Sequence, residues 1–143
     1  MKFALTVLLS ILLLAQLIRP ERTNPDFDSA LEIKLDETIK PLIVNACYDC
    51  HSFETTWPWY SNIFPMSYTI AKHVRGGRHM LNFSLWQELN DEEQKESLRK
   101  IRGSVVSSMP LLHYTMAHEK AQLSNEEREM IRNWVEKELE FLP

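Results

Sequence analysis

Cys47-Tyr48-Asp49-Cys50-His51 is the stretch on which the reading of this 143-residue chain turns. Two thiols two residues apart, with a histidine directly after the second, form the pattern used for covalent attachment of a c-type haem. On a short helical turn that spacing puts both sulfurs on one side, within reach of the two vinyl groups along one porphyrin edge. The adjacent imidazole then lies beneath the ring, where a nitrogen can be offered to iron. Haem c, joined through Cys47 and Cys50 and ligated by His51, is therefore the expected cofactor. Two other chemistries use similar residues. A thioredoxin-type redox pair expects a strand–helix–strand setting, and none is visible around the motif. A zinc site needs at least one further ligand at suitable spacing. His73, His79, His113 and His118 are present, but no second Cys-x-x-Cys or His-x-x-x-His cluster accompanies them.

Outward from the motif, composition limits the rest. The length suits one domain, and 44% hydrophobic with 25% charged residues is ordinary for a globular one. Both cysteines lie in the motif, so no disulfide framework is left to hold the fold; a buried, covalently bound cofactor would do part of that work. The formal charge is −4, to which two haem propionates would add, and a nucleic-acid partner is disfavoured.

Residues 1–18 read as one early lysine and then an apolar run from Phe3 to Ile18. This is a secretory signal or a membrane anchor, in length between a signal core and a comfortable span of about 20 residues. No small-x-small cleavage site follows, which favours an uncleaved anchor through residues 3–18. Residues 19–30, with Pro20 and Pro25, read as an extended linker. The domain then occupies 31–143. Leu31, Leu35, Ile39, Leu42, Ile43 and Ala46 fall at helical spacing, so a helix starting near Thr38 should deliver Cys47, with Pro41 tolerated in its first turn.

After the motif, Pro58 and Pro65 forbid a long helix, leaving an aromatic loop. Trp57, Trp59 and Tyr60 are expected either as a wall of the haem pocket or as filling for a small core. Pro65 can start a helix that Gly76-Gly77 would end, with Lys72, His73, Arg75, Arg78 and His79 clustered about it. That cluster reads as a solvated face or as a partner for propionates. Capping boxes are expected at Ser84/Gln87, Asn90/Glu93 and Ser124/Glu127. Glu96 and Lys100 should pair along one helix, stopped at Gly103. The last helix should bury Met130, Ile131, Trp134, Val135 and Leu139 along one face.

The motif fixes one side of the iron only. Met109 is the favoured second ligand: its soft sulfur suits the metal, and it sits in an irregular loop stiffened by Pro110. His73, His79, His113 and His118 are the alternatives, and methionines in general are more often core filler.

The order of these segments resembles a compact class I cytochrome c. More closely, it is similar to a family of small haem-binding domains, single-haem and membrane-anchored. The match rests on Cys47 to Ser52, Thr55 to Ser61, Pro65-Met66-Ser67, His73-Val74, Gly77-Arg78, Leu81 to Trp86, Met109-Pro110 and Leu123 to Glu127. The resemblance covers roughly residues 31–140 and implies an all-α domain around one covalent haem, preceded by a hydrophobic helix. It also implies attachment outside the cytoplasmic membrane, hence a periplasmic-side location and redox proteins of the envelope as partners. Two functions follow as expectations. An electron carrier needs both axial positions filled; a sensor or peroxidase-like enzyme needs an open one, with His73 or His113 as an acid–base group.

Overall fold

The apolar run at the start of the chain folds as α1 (Lys2–Ala15), with every side chain free of the rest of the protein's interior. The hydrophobic helix expected there forms, but it stops at Ala15 and not at Ile18, because Gln16 turns back onto the domain. No helix of the chain is long and apolar enough to cross a membrane. The computed structural model describes residues 1–143 and contains helices and turns but no strands.

Residues 19–28 of the expected linker carry no helix, but its end folds into a 3-10 turn (Ser29–Leu31) capped by Asp28, and its first part is tied down. Arg19 donates to the Asn62 carbonyl at 3.0 Å, Arg22 to the Ser61 carbonyl at 2.7 Å, and Asn24 to the Thr55 carbonyl at 2.9 Å. Residues 19–24 are thus laid against the domain and do not act as a free spacer.

Asp36 sets the start of the helix that carries the motif, its carboxylate accepting from the N–H groups of Thr38 and Ile39 at 2.9 Å each. Pro41 then sits in the first turn, where its missing N–H costs nothing. The chain continues as α2 (Lys40–Ile43), a π-helical turn (Val44–Tyr48) and α3 (Asp49–His51). A π turn inserts one extra residue per winding and occurs mostly at functional sites; here it holds Cys47.

Pro65 caps α4 (Met66–Met80), which runs through Gly76-Gly77 without stopping. Packing overrides the local signal. A Cβ on Gly77 would stand 2.3 Å from the Cys50 carbonyl oxygen, so the glycine is there to let α3 and α4 touch. The expected box at Ser84 does not form either. Ser84 is fully buried, its hydroxyl accepting from Phe53 N–H at 2.9 Å, and Asn82 caps a 3-10 helix (Phe83–Glu88) in its place.

In the remaining helices the expected boxes at Asn90 and Ser124 form, but Gly103 is no stop, lying inside a helix that continues to Ser104. Asn90 and Glu93 form both halves of a capping box opening α5 (Asp91–Ser104), where Glu96 and Lys100 pair at 2.7 Å. A short α6 (Leu112–Thr115) precedes α7 (Asn125–Phe141), whose capping box is Ser124 with Glu127. Ile131, Trp134 and Val135 are buried against α5, and Leu139 packs beside them. Met130 lies outside that stripe, 37% exposed. These residues join Ile39, Ile43, Tyr48, Phe83 and Trp86 in one core, which therefore braces the motif helix directly.

Gly77→Ala should lower the unfolding free energy by about 1–3 kcal/mol, the usual penalty for forcing atoms into a packed contact. Gly103, inside α5, has nothing within 4 Å of its virtual Cβ. Gly103→Ala should therefore stabilise by up to about 1 kcal/mol through helix propensity. Urea unfolding of both variants reads the contrast.

Candidate functional site

The motif helix, α4, α5 and the loop leading to α6 enclose a cavity of about 610 Å³. Cys47, Cys50, His51 and Met109 all line it. Three belong to the motif turn and one to the loop after α5. Ile43, Ala46, Leu81, Phe83, Ile101 and Val105 supply apolar walls, with Gly76 leaving open space where a side chain would project.

His51 is presented in a defined way. Its Nδ1 lies 3.1 Å from the Leu81 carbonyl oxygen. A carbonyl only accepts, so Nδ1 carries the proton and Nε2 keeps a free lone pair, the form that binds a metal. Burial lowers the pKa of the ring, opposed by hydrogen bonds to the Leu81 and Gly77 carbonyls. The neutral imidazole needed for ligation is thus favoured.

Burial also pushes the Cys47 thiol up to about 12, helped by Cys50, and the Cys50 thiol up to about 11, helped by Asp49. Both are free thiols. Neutral thiols in an apolar setting are poor redox-exchange groups, which need thiolates. No three His, Cys, Asp or Glu side chains are grouped so as to hold a metal ion. One imidazole and one thioether among largely apolar lining suit a macrocycle carrying its own iron.

Sequence reasoning missed the role of Asp49, between the two cysteines. Its carboxylate accepts from Thr56 N–H and from the Tyr114 hydroxyl, each at 2.7 Å. Tyr114 lines the cavity, and burial followed by Asp49 raises its pKa. One carboxylate thus locks the motif turn to α6. A tyrosine in a short helix far along the chain carries no local signal of this.

Trp57, Trp59 and Tyr60 do not line the cavity, so the wall reading of the aromatic block is corrected. Tyr60 instead approaches the motif from outside the cavity, near Asp49, whose charge adds to burial in raising the Tyr60 pKa. Trp59 is 75% exposed, and the Tyr60 hydroxyl meets His118 Nε2 at 3.2 Å. The cavity's walls come from helices instead.

The basic cluster separates into different duties. Arg78 is occupied by the carbonyls of Ser52 and Thr23, at 2.7 and 2.8 Å, and by Asn24 and Thr55 side chains, each at 2.9 Å. It is a clamp between α4, the loop after the motif and the linker. Lys72 and His73 line the cavity, joined by Lys100 of α5, and these lysines suit the acidic edge of a bound ring. Arg75 and His79 face solvent or the surface. Of the four alternative histidine ligands, only His73 lines the cavity; its Nδ1 lies 3.4 Å from His113 Nε2. His118 is held by Tyr60 and by the Tyr114 carbonyl at 2.9 Å.

Met109 is held through its backbone. Its N–H donates to the Ser104 carbonyl at 2.8 Å, and its own carbonyl accepts from Arg128 of α7 at 2.8 Å. Arg128 also donates to the Val105 carbonyl. No polar contact of the loop involves the Met109 sulfur, and the residue lines the cavity.

An all-helical domain whose cavity gathers an attachment motif, a poised imidazole and a thioether has the make-up of a small haem-binding protein. Residues 10–137 match the family described as haem-binding domain, and the chain belongs to that family. No curated protein and no solved structure matches it.

In haem-free protein, both thiols should react with iodoacetamide at pH 8 much more slowly than in urea, as burial and raised pKa values require; equal rates would contradict the placement. Tyr114→Phe should cost about 1–3 kcal/mol, the value of a hydrogen bond to a charged acceptor, and thermal melts check it.

Proposed function

We propose that the chain is a single-haem c-type electron carrier of the cell envelope. The observation that carries this reading is the convergence of Cys47, Cys50, His51 and Met109 on one apolar cavity. Haem, when bound, supplies an iron centre that exchanges one electron. The chain's own residues define how easily. Cys47 and Cys50 would fasten one edge as thioethers.

His51 Nε2 and the Met109 sulfur would hold its iron. A thioether paired with an imidazole favours the reduced state more than a second imidazole does, so the potential should lie above that of a bis-histidine site. The apolar walls exclude water and keep the local dielectric low, which limits solvent rearrangement as the charge changes. Lys72 and Lys100 would balance the propionates. Redox proteins of the envelope are the partners this chemistry implies. α1 would keep the domain at the periplasmic side of the cytoplasmic membrane, or would be removed as a leader.

One observation favours a second reading, a haem sensor or peroxidase-like enzyme with an open distal side. His73 lines the cavity and is steadied by His113, a position from which it could act as an acid–base group.

Spectra of exported protein distinguish the two. The carrier should resist acid–acetone extraction of its pigment and should show the long-wavelength absorption of sulfur-ligated ferric haem. Met109→Ala should abolish that band and give a high-spin spectrum, whereas His73→Ala should leave it. A high-spin wild type that binds carbon monoxide readily would reject the carrier in favour of the open site.

A further inference from the structure

The geometry points to a membrane-seated collar: the turn at residues 59–66 rests in the lipid headgroup layer at the foot of an inserted α1. The inference rests on reading α1 as a retained membrane helix. It goes further in assigning a face of the folded domain to the bilayer, and so an orientation for the cavity.

Four observations carry it. First, α1 buries none of its residues, and Leu9, Ile11, Leu13 and Leu14 are all more than half exposed. A helix that docks on protein shows one apolar stripe, whereas one apolar all round suits lipid. Its Thr6 hydroxyl is turned back to the Lys2 carbonyl at 3.0 Å, hiding a polar group.

Second, the foot of α1 is fastened to the turn. The Gln16 side chain accepts from Phe64 N–H at 3.0 Å and donates to the Phe64 carbonyl at 3.5 Å, and Arg19 reaches Asn62. The family match also begins at residue 10, inside α1.

Third, this turn leaves apolar side chains at the surface: Trp59 is 75% exposed, and Ile63 and Met66 44% each. A tryptophan beside two arginines is the chemistry of a membrane interface. Fourth, lengths agree. A 14-residue helix spans about 21 Å, short of a hydrocarbon core of about 30 Å. Insertion therefore draws the domain down until the turn itself meets the lipid. Among possible covers, a bilayer accounts for the all-round apolar helix and the adjoining tryptophan together.

The test uses full-length protein in nanodiscs of phosphatidylethanolamine and phosphatidylglycerol. A nitroxide is placed at Leu9→Cys, Trp59→Cys or Phe141→Cys, the last an equally exposed apolar position on α7. The native sulfurs, buried or bonded to haem, do not compete for label. Accessibility to a water-soluble nickel complex should be severalfold lower at 59 than at 141, with oxygen accessibility higher. If position 9 reads lipid and position 59 reads water, the collar is overturned while the anchor stands. If position 9 reads water, the membrane reading of α1 fails and the collar with it. Dipolar broadening between labels at 59 would name a second copy as the cover and also overturn it.

Discussion

Helices α3 and α4 meet where the Cys50 carbonyl lies against the backbone of Gly77, too close for any side chain to intervene. The rest of the site depends on that contact. It brings α4 near enough for Leu81, just past its end, to accept from His51. It also sets Lys72, His73 and Gly76 along one wall of the cavity. The glycine costs helix stability of about 1 kcal/mol relative to alanine, and the return is a motif turn clamped between two helices.

The two charged groups nearest the motif are engaged outside the cavity. Asp49 turns to Thr56 and Tyr114, and Arg78 to the carbonyls of Ser52 and Thr23. Most of the lining that remains is apolar, and beside it stand the two thiols, the His51 and His73 rings, the Tyr114 hydroxyl and the Met109 thioether. The charges that do reach the lining, Lys72 and Lys100, have long stems that let their ammonium groups stay at the edge. Such a separation lets a large apolar guest bind with few buried polar groups left unpaired.

Much of this was legible in the sequence because its signals are local. The spacing of Cys47, Cys50 and His51, the boxes at Asn90 and Ser124, and the proline-tolerant helix start near Pro41 all depend on neighbours within a turn. Met109 was legible for a chemical reason, a soft donor in a loop, and the structure does bring it to the motif's cavity. What escaped depends on residues far apart in the chain. Gly77 looked like a helix stop because its partner, the Cys50 carbonyl, is invisible to local pattern. Ser84 looked like a cap because its burial under Phe53 is a tertiary fact. The aromatic block looked like a pocket wall because large rings suit one, but Trp59 is exposed and Tyr60 is engaged by His118. Arg78 looked like part of a charged patch, and only the fold shows its donors filled.

Arg128 has a consequence for how the molecule is made. It holds the carbonyls of Val105 and Met109, and it belongs to the last helix of the chain. Synthesis proceeds from the other end, so until α7 has emerged the loop carrying Met109 keeps its turn onto the Ser104 carbonyl but lacks the clamp that ties it to the last element. The Met109 side of the cavity is therefore completed last, after the segments that carry Cys47, Cys50 and His51 have all been made.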